Sequence, residues 1–497
     1  MRREDVLSFV AMPRATSTSS SVSCFDVVIL GGGSAGYAAA RTAAAAGVKT
    51  AVIDGARELG GLCILRGCMP TKALLESAHR WHDVVRAGEF GLRLKSLAPG
   101  PDIKAIFRRK DRLIADFAGY RAEQLQKGPF TLIRGMARFV SPHAVEVDGR
   151  RIEAKTFIIA TGSETASVPV PGLEETGSLT SDDALRLRTL PKSLIVLGAG
   201  AVGVEFAQFY AHLGTKVTVL QRSPQIVKSF DPDAVAELEK AFRADGIDLR
   251  TGTALLSVRR KGKKKEVTFR HDGKEVRVAA DDILNALGRR PALASLNLPA
   301  AGIPIGENGK IAVDPKRGMR TRVPHIFAAG DAAGLHEVVH AAIAQGEVAA
   351  KNAAALVLGS KKTIPYVDPI LLEIVFTAPE AARAGMTEKE ARAKGIDCLV
   401  ASYPFNDHGK AMIMGAKHGL VKLVADRKGR LLGGQYVGPH ASDLIHELVP
   451  LLHYGATAAE LAAMPHYHPT LAEILTYPAE EIADMVKAAA AEKKKVR

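Results

Sequence analysis

The chain of 497 residues is poor in cysteine and in aromatic residues. Four cysteines are too few for a secreted scaffold held together by disulfides. No uninterrupted apolar run approaches the length of a membrane span, so we predict no membrane association. Only 5% of the residues are aromatic, and the basic runs 261–265 and 493–497 contain none for base stacking. Despite a formal net charge of +14, we therefore predict no nucleic-acid binding.

What the sequence does contain is enough apolar material for more than one domain. Hydrophobic residues make up 47% of the chain and charged residues 24%, as in typical soluble globular proteins. The length predicts about three domains. Residues 1–23 mix charges with a Ser/Thr run and have no periodicity, so we expect a disordered tail. Glu4 and Asp5 argue against a transit peptide, and we predict a cytoplasmic protein.

An internal repeat dominates the sequence. An apolar β-rich run leads into a glycine turn at 31–36, an Ala-rich helix and a second strand. The same order recurs around the turn at 198–203, which begins 167 residues later. Both turns read G-x-G-x-x-G, a pattern in which glycine backbone and a helix N-terminus cradle a pyrophosphate. We therefore predict two dinucleotide-binding βαβ units, with contacts at Gly31, Gly33, Ser34 and Gly36 in the first and at Gly198, Gly200 and Gly203 in the second.

The two units differ where the second strand ends. Eighteen positions after the last glycine, the first unit has Asp54 and the second has Gln221. An acid at this place accepts hydrogen bonds from an adenosine ribose, whereas its absence tolerates a 2′-phosphate. Arg222 and Lys228 could pair with such a phosphate, although the alternative is that both are solvated surface charges. We predict FAD in the first unit and NAD(P), with a preference for NADPH, in the second.

A C-x4-C segment with Cys63 and Cys68 follows the first unit. The spacing is not that of zinc ligands and no second Cys/His pair stands nearby, so we predict no metal site. Gly67 gives the backbone freedom to bring the sulfur atoms together, and Pro70 suits the first turn of a following helix. A helix N-terminus near Cys68 would lower its thiol pKa. We predict a redox pair; the alternative is two buried small apolar residues.

With these motifs in place, the chain from about Cys24 to Ile482 resembles the FAD-dependent pyridine nucleotide–disulfide oxidoreductases. The segments TFIIATGS at 156–163, ALGRRP at 286–291 and IFAAGDAAG at 326–334 are similar to motifs of that family. The resemblance implies an α/β fold with two Rossmann-like dinucleotide-binding domains and an α+β C-terminal dimerisation domain. It also implies FAD contacts at Gly135, Ala137, Thr161, Gly162 and Asp331 and an NAD(P) contact at Gly288.

The resemblance assigns roles to the redox residues as well. Cys63 would exchange with the substrate, and Cys68 would face the flavin as the charge-transfer thiolate. Lys72 and Glu205 match the ion pair that members of this family place beside flavin and nicotinamide. The alternative is that Lys72 is a helix-surface lysine and Glu205 an exposed acid favoured by the helix dipole.

A C-terminal motif, HPTLAE, resembles the catalytic His–Glu pair of the same family. Proton transfer to thiols near neutral pH suits an imidazole, here His468. Pro469 is expected to begin a helix that places Glu473 about one turn on, where it would orient the imidazole. In this family the histidine comes from the other subunit, which implies an obligate homodimer with active sites shared between subunits.

The resemblance sets the expected domain boundaries. We predict an FAD domain at 24–164 and 286–362, an NAD(P) domain at 165–285, a dimerisation domain at 363–483 and a basic tail at 484–497.

Within the family, the C-terminal motif most resembles dihydrolipoyl dehydrogenases. We therefore predict an oxidoreductase acting on a sulfur group, which oxidises a dihydrolipoamide-type dithiol with NAD(P)+. The alternatives are an NADPH-dependent reductase of a small disulfide, similar to glutathione reductase or mercuric reductase, and a flavin-binding protein without turnover. Membership of a multienzyme complex stays open. Because Arg66 departs from the family pattern, we hypothesise that it favours an anionic substrate.

Overall fold

The computed structural model describes residues 22–98 and 100–495, so most of the predicted N-terminal tail lies outside the described residues. Strands and helices alternate along most of the chain, and an antiparallel sheet follows toward its C-terminal end. This is the α/β fold that the sequence predicts. None of the described helices combines the length and apolarity needed to cross a bilayer.

The elements are numbered in chain order. The strands are β1 (Ser23–Leu30), β2 (Thr50–Asp54), β3 (Thr131–Arg134), β4 (Arg138–Ser141), β5 (Ala144–Val147), β6 (Arg150–Ile159), β7 (Ser163–Thr165), β8 (Ser193–Leu197), β9 (Lys216–Leu220), β10 (Asp248–Arg250), β11 (Ala254–Lys261), β12 (Lys264–His271), β13 (Lys274–Ala280), β14 (Asp282–Asn285), β15 (Arg289–Pro291), β16 (Ile326–Ala328), β17 (Leu372–Val375), β18 (Glu380–Gly385), β19 (Cys398–Pro404), β20 (Leu420–Asp426) and β21 (Leu431–Gly438). The α-helices are α1 (Ser34–Ala45), α2 (Gly61–Arg66), α3 (Cys68–Val85), α4 (Ile103–Gln126), α5 (Leu173–Thr176), α6 (Ser181–Ala184), α7 (Ala201–His212), α8 (Pro232–Ala244), α9 (Val339–Val357), α10 (Glu388–Ala393), α11 (Gly409–Ile413), α12 (Ala441–Leu444), α13 (Leu448–Tyr454), α14 (Ala458–Ala463) and α15 (Thr476–Lys495).

The first sheet has seven strands in the order β3-β2-β1-β6-β5-β4, with β16 also paired to β6. The pairs among β1, β2, β3, β6 and β16 are parallel. β2 and the second half of β1 are buried, because parallel sheets are covered on both faces and their strands read as continuous apolar runs. The carboxyl ends of β1 and β2 therefore meet at one edge, where ligands of such sheets bind.

The second sheet has the order β10-β9-β8-β14 and is parallel throughout. A three-stranded antiparallel sheet, β11-β12-β13, packs on one of its faces. The basic run at 261–265 spans the end of β11, the turn and the start of β12. The short pair β7–β15 lies where the chain leaves and re-enters the part containing the first sheet.

The third sheet is antiparallel, in the order β17-β18-β21-β20-β19. It packs against the C-terminal helices over a separate apolar core. Residues 484–495 continue α15, so the basic end is helical as far as Lys495. The three large sheets fall within the predicted domain ranges, and the boundaries themselves stay predictions.

One apolar core is shared between two of these parts. Leu74 and Leu75 on α3 and Phe107 on α4 are buried in the same cluster as Phe206 and Phe209 on α7. Helices that precede the second sheet in the chain therefore complete the apolar covering of one of its faces. This packing fixes α3, which begins at Cys68, against the helix that follows the second glycine turn.

Candidate active site

The first glycine turn, between β1 and α1, excludes side chains at two positions. Gly31 has φ +103°, and a Cβ there would lie 2.4 Å from the carbonyl oxygen of Ala160. A Cβ on Gly36 would lie 1.8 Å from the carbonyl oxygen of Gly31. Gly33 caps α1 without a side chain and Ser34 begins the helix. The first amide groups of α1 therefore point toward the turn, where a phosphate would meet them.

The predicted adenosine contacts lie together at the end of β2. Asp54 is buried, and its Oδ2 accepts a hydrogen bond from the Gly32 N–H at 2.9 Å. Its backbone carbonyl accepts one from the Gly135 N–H at 3.2 Å. Gly135 has φ +136°, and Ala137, two residues on, is buried. The carboxylate thus lies beside the glycine turn, as the sequence predicts.

The residues at the predicted flavin end suit a polar ligand. The Thr161 hydroxyl is buried and has no hydrogen-bond partner among the described residues. Gly162 has φ +71°. Ser163 Oγ donates to Asp331 Oδ2 at 2.6 Å and accepts from Arg289 Nε at 2.9 Å. A buried hydroxyl without a partner is costly, so Thr161 fits a site that a bound dinucleotide completes.

The second glycine turn repeats the first. Gly198 has φ +94°, and a Cβ there would lie 2.5 Å from the carbonyl oxygen of Ala286. A Cβ on Gly203 would lie 2.0 Å from the carbonyl oxygen of Gly198. Gly200 caps α7 without a side chain. This turn therefore presents a second helix N-terminus suited to phosphate oxygens.

Gln221 occupies the place of Asp54 in this second unit. Its Oε1 accepts a hydrogen bond from the Ala199 N–H at 3.0 Å. Arg222 and Lys228 follow it and are exposed, and neither forms an ion pair within the described part of the chain. Gly288 has φ +137°. The end of β9 thus carries a neutral amide next to free positive charge. A neutral amide does not repel a 2′-phosphate as a carboxylate would.

The two cysteines lie on either side of a break between two helices. Cys63 is on α2 and Cys68 is the first residue of α3, with Gly67 between the helices. The helix start expected near Cys68 is thus confirmed. A hydrogen bond from the Cys63 thiol, opposed by burial and assisted by the Lys72 charge, lowers the pKa of Cys68 to about 6. The same hydrogen bond and burial raise the pKa of Cys63, so Cys68 is the thiolate of the pair.

An ion pair joins α3 to α7 one turn beyond Cys68. Lys72 Nζ lies 2.9 and 2.8 Å from the two carboxylate oxygens of Glu205. The Glu205 side chain is 3% exposed, and its Oε1 also accepts a hydrogen bond from the Phe376 N–H at 3.0 Å. The buried carboxylate is therefore held by two partners. The structure places Lys72 and Glu205 together, away from the surface positions that the alternative assumed.

The C-terminal His–Glu pair is formed within one chain. His468 Nδ1 lies 3.1 Å from both carboxylate oxygens of Glu473. The His468 side chain is 78% exposed and that of Glu473 is 12% exposed. A buried carboxylate thus orients an imidazole whose other nitrogen faces outward, the arrangement needed to reach another subunit.

The expectation that Pro469 begins a helix is wrong. The helical turn runs over Ala472–Leu475, because the first helical hydrogen bond forms only between the Ile474 N–H and the Leu471 carbonyl. Glu473 still meets His468, since an irregular stretch covers the distance that a helical turn was expected to cover.

A second histidine, which the sequence did not predict, lies beside the carboxylate of Glu473. His408 is fully buried, and its Nε2 lies 3.2 Å from Glu473 Oε1. The carboxylate is therefore enclosed by two imidazoles, one exposed and one buried. His408 precedes the short helix α11, and no spacing pattern connects it with a glutamate 65 residues later. Only the packing of the third sheet against the C-terminal helices brings the two together.

The comparisons with known proteins agree with this geometry. Residues 25–346 match the family model "Pyridine nucleotide-disulphide oxidoreductase", and residues 372–479 match the dimerisation domain of the same family. These matches cover most of the chain, and the chain belongs to the pyridine nucleotide-disulphide oxidoreductase family.

Relatives and solved structures refine the comparison. A dihydrolipoyl dehydrogenase of Thermus scotoductus is 38% identical over 442 residues, 88% of this chain and 93% of the relative. A mercuric reductase of Bacillus cereus is 33% identical over 88% of this chain and 68% of its own length. The structure of a Cu(II) complex of the HOCl-induced flavoprotein disulfide reductase RclA from Escherichia coli has a TM-score of 0.81 at 26% identity. The match covers 93% of this chain and 100% of the RclA chain.

Several predictions are thereby confirmed. The protein is a flavoprotein disulfide oxidoreductase that uses FAD and NAD(P), and it acts on a sulfur group. It carries the family's dimerisation domain. The roles predicted for individual residues of the site stay predictions.

Proposed function

We propose that the protein oxidises a dihydrolipoamide-type dithiol through Cys63 and Cys68. The observation that carries the proposal is the position of Cys68 at the first residue of α3, with a thiol pKa lowered to about 6. A thiolate is both the better nucleophile and the better leaving group in disulfide exchange. Cys63, whose pKa is raised, is suited to carry the proton at the end of the exchange. Dihydrolipoyl dehydrogenases among the relatives support this class of substrate.

The exchange begins with the Cys63–Cys68 disulfide. His468 takes the proton of the first substrate thiol, and the substrate thiolate attacks Cys63 Sγ. The Cys63–Cys68 bond breaks, and Cys68 leaves as a thiolate. The second substrate sulfur then attacks the first, which breaks the bond to Cys63 and releases the substrate disulfide. His468 passes the first proton to the departing Cys63 sulfur and takes the proton of the second substrate thiol, so that two electrons and one proton remain on the cysteine pair and one proton on the imidazole.

Other side chains hold this arrangement in place. Glu473 fixes the ring of His468 through its contacts with Nδ1. The Lys72 charge, one turn from Cys68, stabilises the thiolate, and Glu205 fixes Lys72. Thr161 and Asp331 would hold the flavin end of FAD, and the first glycine turn its pyrophosphate. When bound, FAD supplies the two-electron chemistry that connects the cysteine pair with the nicotinamide coenzyme.

Anaerobic titration of the purified protein with dihydrolipoamide, NADH and NADPH tests this function. Reduction should produce a long-wavelength absorption band, because a thiolate then lies against the oxidised flavin. Cys68→Ser should abolish the band, whereas Cys63→Ser should retain it. Persistence of the band in Cys68→Ser would refute the assignment of the two sulfur atoms.

We also propose a homodimer in which each active site uses His468 of the other subunit. The exposed imidazole supports this, as do exposed apolar side chains of the same part of the chain: Met412, Ile413, Tyr454 and Tyr467. Contiguous exposed apolar groups are typical of an interface.

Mixing two inactive variants tests the shared site. Co-expressed Cys63→Ser and His468→Gln chains form mixed dimers that contain one intact site, made of cysteines from one chain and histidine from the other. Random pairing should restore about one quarter of the wild-type activity, because half of the dimers are mixed. If each site is built within one chain, co-expression restores nothing.

A second candidate function is the NADPH-driven reduction of a small disulfide. Gln221 favours it, since a neutral side chain stands where an acid would repel a 2′-phosphate. The titration above separates the candidates, because only this second function predicts faster reduction by NADPH than by dihydrolipoamide. A cytoplasmic location agrees with either candidate, since thiols stay reduced there. Membership of a multienzyme complex is compatible with the first candidate.

A further inference from the structure

Four side chains outside the proposed redox site converge at the far end of α3. His79 and His82 lie three residues apart on one face of α3. They meet His212, the last residue of α7, and Asp245, which follows the end of α8. None of these residues takes part in the chemistry described above. Their types, three imidazoles and one carboxylate, are those that bind transition metals in proteins.

Three of the four residues, His82, His212 and Asp245, have donor atoms close enough to share one ion, and His79 lies outside this group. His212 Nε2 lies 3.0 Å from Asp245 Oδ2, and His82 Nε2 lies 3.9 Å from Asp245 Oδ1. One donor atom from each of these three residues lies within 4.8 Å of the others. Ligands about 2.1 Å from a tetrahedral ion are separated by roughly 3.4 Å. The three donors thus lie near the spacing of a bound ion, and the His82 ring has to reorient to complete it.

The hydrogen bonds of the cluster are incomplete. His79 Nε2 and His212 Nδ1 are buried and have no hydrogen-bond partner among the described residues. The centroids of these two rings are 5.7 Å apart. A buried nitrogen without a partner costs free energy, and a metal ion would supply the missing partner for His79. Asp245 follows the C-terminal end of α8, where the helix dipole disfavours a carboxylate, so a cation bound there would be favourable.

We propose that His82, His212 and Asp245 bind a divalent transition metal of the zinc type, with His79 as the fourth ligand. The rings of His82 and His212 are stacked, with centroids 3.9 Å apart and planes 21° from parallel. Because imidazole lone pairs lie in the ring plane, His82, the more exposed of the two, turns out of the stack on binding. Gln208 Nε2 donates to Asp245 Oδ2 at 2.8 Å and fixes the carboxylate, as partners of metal ligands do.

The ion would join two parts of the molecule near the redox pair. Lys72 and Glu205 are 133 positions apart, and so are His79 and His212. The ion pair and the metal cluster are therefore two turns, or about 10 Å, apart along both α3 and α7. Bound metal would fasten the two helices at one end as Lys72–Glu205 fastens them at the other. The site is structural, because all four positions are taken by protein ligands.

Zinc binding to the oxidised, FAD-loaded protein tests the site. Oxidation keeps Cys63 and Cys68 in a disulfide, so that thiols do not compete for the ion. Equilibrium dialysis should find one zinc per chain, and His82→Gln should weaken binding at least about tenfold. His143→Gln is the matched control, because His143 and His325 are stacked at 3.9 Å like the proposed ligands. This control should bind zinc as the wild type does.

X-ray absorption at the zinc edge supplies an independent measurement. The proposed site gives nitrogen and oxygen neighbours at about 2.0–2.1 Å and no sulfur at about 2.3 Å. Zinc should also raise the Tm of the wild type, and EDTA should reverse the rise. If His82→Gln does not fold, Asp245→Asn replaces it, since its amide oxygen still accepts from Gln208. The proposal is overturned if no zinc binds, if sulfur is found around the ion, or if the folded variant binds as tightly as the wild type.

Discussion

The two glycine turns have almost the same backbone but lead to different ligands. Their first glycines have φ values of +103° and +94°, and each turn starts a helix of 12 residues. A Cβ on the third glycine would clash with the first at 1.8 Å in one turn and 2.0 Å in the other. The shared geometry provides for a pyrophosphate, which both cofactors contain. Which cofactor binds must therefore be decided by residues outside the turns.

The side chains at the ends of β2 and β9 make this difference visible. Asp54 and Gln221 both accept a hydrogen bond from the second residue of their turn, Gly32 at 2.9 Å and Ala199 at 3.0 Å. The contact is the same, and only the charge differs. Exchanging a carboxylate for an amide thus leaves the local structure intact, but it removes the negative charge that would repel a 2′-phosphate on the neighbouring ribose.

The turns also differ in what packs on them. A Cβ on Gly61, at the start of α2, would lie 2.6 Å from the Cα of Gly33. The segment with the two cysteines thus begins directly against the first turn. The second turn instead meets the loop after β9, whose Val227 N–H bonds to the Ala199 carbonyl at 2.9 Å. The start of the cysteine segment therefore packs on the first turn, whereas the Lys72–Glu205 ion pair joins α3 to the helix that follows the second turn.

Alanine at the third glycine of each turn should give the largest effect, because each variant should lose a different cofactor. In Gly36→Ala the new Cβ meets the Gly31 carbonyl, and we expect protein purified without flavin, measured as flavin absorbance per chain. Gly203→Ala should retain FAD, which a dithiol still reduces and NAD(P)H no longer does. If both variants lose FAD equally, the two turns do not bind separate cofactors.

The pH dependence of alkylation tests the redox segment attached to the first turn. Because the pKa of Cys68 is lowered to about 6, the thiolate predominates above that pH. The rate with iodoacetamide should be constant above it and should fall about tenfold per pH unit below it. Lys72→Met should move the midpoint upward, since it removes a nearby positive charge. A wild-type midpoint near 9.0, the ordinary value, would contradict the prediction.

Gln221→Glu should convert the second unit toward the charge pattern of the first. The carboxylate repels a 2′-phosphate, and we expect the ratio of kcat/KM for NADPH over NADH to fall about tenfold, or about 1.4 kcal/mol. Lys216→Gln, at the exposed start of β9, changes the net charge equally and serves as the control. An unchanged ratio in Gln221→Glu would mean that this position does not contact the ribose.

The smallest effect is expected at Arg66, between the two cysteines. Its side chain is 48% exposed and pairs with Asp182 at 3.4 Å, so a substrate can reach its charge but meets it partly neutralised. Arg66→Ala should raise KM about two- to fivefold for a carboxylate-bearing disulfide and leave a neutral one unchanged, as exposed charges contribute less than about 1 kcal/mol. Arg80→Ala, an exposed change on α3, is the control. Equal effects on both substrates would show that Arg66 does not favour an anionic substrate.

The parts of the site that depend on local patterns could be predicted from the sequence. The glycine turns, the helix start at Cys68 and the strand ends at Asp54 and Gln221 each follow from spacing within a few dozen residues. Their physical basis is local, since φ angles and helix termini are set by near neighbours. The resemblance to a family added Lys72 with Glu205 and His468 with Glu473, which spacing alone does not connect.

The parts that depend on distant packing could not be predicted. His408 reaches Glu473 only because α15 packs on β19, and His79 meets His212 only because α3 packs on α7. The helix predicted to begin at Pro469 is absent from the structure, and an irregular segment brings Glu473 to His468 instead. Long-range contacts of this kind leave no periodicity in the sequence.

The apolar core that α3 and α4 share with α7 has a consequence for recombination. A segment spanning 165–285, transplanted alone into another protein, would leave Phe206 and Phe209 without the side chains that cover them here. The coenzyme-binding segment therefore cannot be transferred to another protein on its own. An engineer who wishes to exchange it between enzymes has to carry the matching surface of α3, and with it the helix that begins at Cys68.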